Sequence, residues 1–365
     1  SGKDEFPNIK AGETVLIELP IKPFVKDDRE YFLKVEAITK NETLAVPADH
    51  IVAMEQFQYY KPQKNHDVNV MDFDISLKVD TDNDNLLLSS PGFSVAFSKS
   101  TGQMTSLKYN NEEIIIKGFT PNFWRALTDN DVANGTLKRC GIWKNIENDM
   151  QLTNFSLSPT ESKVACITAH FSLLKQSSSL EMIYAVYPDG IINVSMSFTP
   201  GDMPLPEIPR FGMYLIVRDD ISNFSWFGRG PHENYKDRKS SAAIGLYNST
   251  VSEQYHPYIR PQETGNKTDV RWASFTNNND EGIFIKGQKP LNISAWHFTQ
   301  EDIDYVPFDI ERKHGGSIEE RELIWINIDN EQMGVGGDNT WGAQVHPEYT
   351  ITPNPMSYSF TISPK

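Results

Sequence analysis

From Leu86 onward the chain is written almost entirely in short alternating runs, and this rhythm limits its fold more than any other feature. Phe93-Ser94-Val95-Ala96-Phe97-Ser98 alternates apolar and polar residues, Ser100-Thr101-Gly102 turns the chain, and Met104 to Tyr109 returns. A short strand follows at Glu113 to Ile116. The pattern recurs at Val164–Phe171, Ser179–Tyr187, Ile191–Phe198, Arg210–Val217, Gly282–Gln288, Ile293–Phe298, Glu322–Ile328 and Tyr358–Ile362. Alternation places every second side chain on one face, the signature of a half-buried strand. Helical spacing is confined to Leu137–Trp143 and Gln300–Val306. The second follows Thr299, an N-cap with Asp302 at its third helical position. So many strands with so few helices predict an all-β protein of two packed, twisted layers.

The first part of the chain follows the same rule on a smaller scale. Thr14–Leu19, Tyr31–Ile38 and Ile51–Tyr59 read as strands. They fall short of the ~100 residues of a full immunoglobulin-type sandwich. Residues 63–85 are polar and read as a linker, with a strand possible at Phe73–Val79. Asp80, Asp82 and Asp84 offer oxygen ligands, but the glycine and closing glutamate of a calcium loop are not at their spacing. A solvated turn is the expectation there.

Composition excludes several classes. With 365 residues, about two domains are expected. The 38% hydrophobic and 23% charged residues describe a globular chain. No apolar run approaches the ~20 residues of a membrane helix, and no basic and then apolar leader opens the chain. A net charge of −15 repels phosphate backbones, so nucleic acid is not an expected partner. Cys140 and Cys166 are the only cysteines, too few for a zinc site; they are either free or one disulfide.

Four stretches are dense in groups that bind or ionise. Phe123-Trp124-Arg125-Ala126-Leu127-Thr128-Asp129-Asn130-Asp131 is the first, and Gly228-Arg229-Gly230-Pro231-His232-Glu233-Asn234-Tyr235 the second. Tyr255 to Trp272 and Met333-Gly334-Val335-Gly336-Gly337-Asp338-Asn339-Thr340-Trp341 complete the set. In this order they resemble the C-terminal domain of the large bacterial β-galactosidases of glycoside hydrolase family 2. Leu127 departs from the family's usual proline. The resemblance implies a large antiparallel super-sandwich, similar to galactose mutarotases, over residues 86–365. It also implies an immunoglobulin-like domain before it, of which residues 1–62 would be the later strands.

For function, the resemblance implies a retaining hydrolase of terminal β-D-galactosides. Such hydrolysis needs two carboxyl groups across the scissile bond, and the family carries both glutamates on a TIM barrel. No alternating strand–helix stretch is present in these residues. This chain is therefore expected to lack the catalytic pair and to be inactive alone, shaping the pocket and supporting assembly. Its partners would be the barrel and a β-galactoside. The parent would be a homo-oligomer using magnesium and sodium held by other domains, so no metal is assigned here. The compartment, cytoplasm or periplasm, stays open.

The candidate substrate-binding residues are Trp341, Asp338 and Asn339. An indole covers the apolar C–H face of a pyranose, and Asp338 and Asn339 can hold the turn that aims it. From the residues alone, Trp341 is a core tryptophan beneath a glycine turn; the resemblance makes it an exposed platform. Trp124, Arg125, Asp129, Asp131, His232 and Glu233 are candidates for a pocket or barrel interface. For each the plainer reading is local pairing, Arg125 with Asp129 or Asp131, and Glu233 with Arg238 or Arg260. Two further functions stay open. A stand-alone carbohydrate-binding module would bind galactosides without the barrel. An aldose-epimerase-like enzyme would need a histidine acid and a carboxylate base to converge, drawn from His170, His232, His297 and His346 with Glu233, Glu263 and Glu348. The glycine run 334–337 does not open a dinucleotide site, because a strand pattern and Pro347 follow it where a helix is required.

Overall fold

The computed structural model describes residues 2–3, 9–19, 27, 29–61, 76–158, 163–174, 177–307 and 318–365. The chain forms two compact units, 1–68 and 69–365. In the first, β1 (Tyr31–Ile38) and β2 (Ile51–Tyr60) form an antiparallel hairpin. Thr14–Leu19, expected as a strand, forms none. Its exposed Leu16 (94%) gives that apolar run no core to face, and alternation specifies a strand only where one face is buried.

The second unit opens with a five-stranded antiparallel meander, β3 (Lys78–Thr81), β4 (Asn85–Ser90), β5 (Phe93–Ser98), β6 (Met104–Tyr109) and β7 (Glu112–Glu113). Residues 78–81, read as linker, thus belong to a sheet; of the possible strand at Phe73–Val79, residues 73–75 lie outside the described residues and Lys78 and Val79 are in β3. The aspartate-rich turn is closed by Asp82, whose Oδ1 accepts from the amides of Asp84 (2.8 Å) and Asn85 (2.7 Å).

A twelve-stranded sheet follows. Its strands are β8 (Ile115–Asn122), β9 (Gln151–Leu157), β10 (Ala165–Leu173), β11 (Ser178–Val186), β12 (Ile192–Thr199) and β13 (Arg210–Val217), then β14 (Asn223–Gly230), β15 (Ala243–Thr250), β16 (Lys267–Thr276), β17 (Gly282–Trp296), β18 (Ile324–Gln332) and β19 (Met356–Pro364). Its main path runs β15-β14-β16-β17-β19-β12-β11-β10-β9, and a branch continues through β18, β13 and β8.

The branch point is β17. Ile283–Gly287 pair with β19, whereas Asn292–Trp296 pair with β18 along the same edge. The sequence reading divides this region into two strands at Gln288; it is one strand of 15 residues that changes partner there. Gly287 sits at the change, where a Cβ would lie 2.1 Å from the Lys289 carbonyl oxygen. No side chain fits a backbone approach that close.

Burial follows position. In β10, Ala165, Ile167, Ala169, Phe171 and Leu173 are buried and alternate with half-buried residues. In β13, between β8 and β18, every residue is buried, and the sequence Arg-Phe-Gly-Met-Tyr-Leu-Ile-Val is almost continuously apolar as a two-sided strand requires. The meander and the large sheet share one hydrophobic cluster, from Leu88, Val95 and Phe97 to Phe198, Phe211 and Phe360. Phe123 lies at its heart with ring centroids 5.3 Å from Phe198 and Phe211 and 5.7 Å from Trp143. The first short helical reading holds, and the second holds only for its first turn, since residues 304–306 are not helical. Thr136–Cys140 and Gly141–Trp143 are α and 3-10 turns, and Gln300–Ile303 carries the reciprocal Thr299–Asp302 capping box. Cys140 and Cys166 are free.

Truncating Phe123 removes an enclosed ring that its neighbours cannot refill. Phe123→Ala is expected to lower stability by about 3–5 kcal/mol, measured by urea unfolding. A loss under about 1 kcal/mol would show that the ring is not a central packing element.

Candidate functional site

The loop after β18 carries Trp341, and its geometry is fixed from below by two charged residues. Arg125 is fully buried. Its Nε and Nη2 donate to Asp131 at 3.1 and 3.0 Å, and Nη2 also donates to the Gly334 carbonyl at 2.8 Å. Nη1 reaches the Met333 carbonyl and the Gln332 side chain. A planar guanidinium satisfies this many acceptors only where they are already arranged around it. Asp131 sits in the short helix Asp129–Ala133 and also closes its capping box with Thr128. On the other side of the glycine run, Asp237 accepts from Val335 N at 3.0 Å and Gly336 N at 2.7 Å. A Cβ on Gly334 would meet the Asp237 carboxyl carbon at 2.7 Å. The glycines are thus needed for close approach to a carboxylate, and the tight turn itself is held elsewhere.

Beyond this clamp the loop reaches solvent. Asn339 Oδ1 accepts from Trp341 N at 2.9 Å and Ala343 N at 3.4 Å, the side-chain-to-backbone bonding expected of it. Asp338 does not bond the backbone; its Oδ1 lies 2.8 Å from His346 Nε2. The ring's other nitrogen is 3.8 Å from Glu348. Hydrogen bonding and charge from Asp338 raise the imidazole above its usual pKa. Trp341 is 90% exposed, as expected for a platform and against the core-tryptophan reading.

The first motif lies differently from its expectation. Trp124, Arg125 and Asp131 are buried within this chain and offer no interface. Trp124 Nε1 donates to Asp304 at 2.9 Å, and Lys144 pairs with the same carboxylate at 2.6 Å. Local pairing therefore absorbs all three residues. Asp129 alone of the group is accessible, bonded to Gln262 at 3.2 Å and paired with Arg260 at 3.3 Å. Its neighbourhood includes a buried ion pair, Arg210–Glu263 at 2.8 Å, with Gln332 donating to the same glutamate oxygen. Burial raises the Glu263 carboxyl.

His232 and Glu233 line a second feature, a shallow cavity of about 300 Å³ shared with Arg238, Ser241, His256 and Tyr258. Glu233 is paired with Arg238, one of the two partners expected. It also accepts from Gly265 N at 2.8 Å, from Thr264 and from Tyr258. A carboxylate held by four donors is a fixed acceptor, so Glu233 is not an idle base. Asp237 and Ser241 are not among the candidates read from the sequence; the Asp237 partners lie 98 and 99 residues away, and Ser241 meets His232 nine residues away across a turn. Among the described residues no three histidines, cysteines or acids gather as metal ligands, and no helix is long and apolar enough to cross a membrane.

The fold and its site thus define an all-β sheet system that carries a braced, solvent-exposed aromatic loop. The chain belongs to the family described as the beta galactosidase small chain, whose model matches residues 89–362. A second model, beta-galactosidase domain 4, matches residues 1–60. The family is the one that the four motifs resemble. A beta-galactosidase of Priestia megaterium (strain DSM 319 / IMG 1521) is 34% identical over 355 residues, covering 96% of this chain and 33% of its own length. One from Streptococcus thermophilus is 28% identical, covering 98% and 34%. The chain therefore spans about a third of the length of the curated relatives it matches. Among solved structures, a galactose mutarotase related enzyme from Lactobacillus acidophilus aligns at TM-score 0.41 with 9% identity, covering 79% of this chain and 97% of that one.

Two outcomes follow from the clamp. Asp237→Ala removes both acceptors of the glycine run, so hydrogen exchange at the Val335 and Gly336 amides should quicken at least about tenfold, while β13 stays protected. The His346–Asp338 tie should be present at low pH and disappear as pH rises through the raised imidazole value, because the folded loop holds that proton more tightly. Imidazole NMR shifts across pH 5–9 in the parent and Asp338→Asn would show it. A His346 midpoint unchanged by Asp338→Asn would rule the tie out.

Proposed function

We propose that this chain is the accessory, pocket-shaping portion of a retaining β-galactosidase and has no turnover of its own. The parent reaction, hydrolysis of terminal β-D-galactosides by double displacement, needs two carboxyl groups flanking one bond. Those groups belong to a TIM barrel outside these residues, together with the magnesium and sodium that serve it. The observation that carries the reading is the 90% exposure of Trp341 at the tip of a loop anchored by Arg125 and Asp237. An exposed indole on a braced loop is ready to lie against the C–H face of a sugar. Asn339 orients the ring's own backbone, and Asp338 with His346 ties the loop on either side of Trp341. The chain also contributes to assembly: β1–β2 exposes Val52 (59%) and Phe57 (52%), apolar area that further protein would cover. The parent is a homo-oligomer in this reading.

The test is kinetic. The chain alone should leave a chromogenic β-galactoside uncleaved, and turnover by it would overturn the two-carboxyl argument. In a β-galactosidase assembled from this chain and its barrel, Trp341→Ala should lower kcat/KM by about ten- to a hundredfold, with Trp341→Phe between. An unchanged kcat/KM would remove Trp341 from the pocket.

A further inference from the structure

We infer that the cavity around His232, His256 and Tyr258 is a binding site for one neutral sugar ring, available on this chain without the barrel. The inference rests on the cavity alone and does not require Trp341 to line the catalytic pocket. At about 300 Å³ the cavity stands at the small end of ligand pockets. That is room for a single ring with one side open to a further residue of a glycan.

Charge selects the ligand class. The cavity holds one carboxylate and one guanidinium, and these neutralise each other at 2.7 Å. Glu233 is saturated by Arg238, Tyr258, Thr264 and the Gly265 amide, so it can neither take up a cation nor act as a base. An anion would find no unpaired charge here, on a chain of net charge −15. What remains is a set of groups that both donate and accept. His232 Nε2 and Ser241 Oγ share a hydrogen bond at 3.0 Å whose direction reverses with the histidine tautomer. His256 stands edge-on to Tyr258, with ring centroids 4.5 Å apart at 70°. Sugar hydroxyls have the same double capacity, and the rings of His256 and Tyr258 supply flat surface for C–H contact. The site is rigid before binding: Pro257 separates the two rings, and Tyr258 is tethered to Glu233. Pre-organisation lowers the cost of capture.

The test uses the intact chain with its histidines labelled for NMR. Methyl β-D-galactoside, titrated to about 50 mM, should move the His232 and His256 ring signals with a Kd of about 1–10 mM. The signal of His170, half-buried on β10 and paired with Glu181, should stay still. His256→Ala should weaken binding at least about fivefold, and Ser241→Ala, an exposed change that leaves the fold intact, about twofold. Trp341→Ala should leave binding at these histidines unchanged. Three results would overturn the site: no movement of His232 and His256, movement abolished by Trp341→Ala, or equal movement with inorganic phosphate. Failure of the pocket-wall reading shows instead in kcat/KM of the assembled enzyme, so the two can fail separately.

Discussion

The larger unit depends on one buried cation. Arg125 joins the end of β8, the capped turn at Asp131 and the exit of β18 through a single guanidinium. Burying a charge is costly unless it is paired and its remaining donors are satisfied. Here Asp131 supplies the charge, and the carbonyls of Met333 and Gly334 take up further donors. The same contacts that make the burial tolerable set the start of the aromatic loop. Removing either partner would leave the other uncompensated, so the loop's position and the unit's stability are coupled.

Asp237 repeats the device from the opposite side. Its carboxylate receives two successive amides of the glycine run, a small nest of backbone N–H groups on an anion. Together the two residues explain why an exposed aromatic need not be a mobile one. The residues between them and Trp341 are few and polar, and they are tied onward, Asn339 to the amides of Trp341 and Ala343 and Asp338 to His346. The cavity at His232 is adjacent in sequence to this anchor, because Arg238 follows Asp237 and faces Glu233.

Much of the fold was legible because the large sheet is built from alternating strands whose inner faces are buried. Phe93–Ser98, Met104–Tyr109 and Arg210–Val217 begin and end where their patterns do. Two strands that the reading passed over, Gln151–Leu157 and Ala243–Thr250, are the two ends of the long sheet path. Edge strands bury less of either face, so their alternation is faint. The division of β17 into two was also physical in origin: Gly287 and Pro290 look like a turn, yet they mark a change of partner within one strand. The site was half legible. The turn held by Asn339 and the capping box at Thr299 show themselves locally, whereas Trp341 reads as a core tryptophan from the residues alone and is placed at the surface only by the resemblance. The long-range contacts of Arg125 and Asp237 do not show locally: beyond its anticipated partner Asp131, Arg125 reaches residues 207 to 209 positions away, and Asp237 reaches residues 98 and 99 positions away. No window along the chain can reveal such partners.

The chain has seven tryptophans. Five are fully enclosed, Trp272 is partly covered, and only Trp341 stands almost bare. The protein therefore carries its own optical probe: long-wavelength emission and quenching by small solutes arise chiefly from a single indole at the tip of the braced loop. Whatever comes to rest on that loop, sugar or protein, announces itself by a blue shift without any added label.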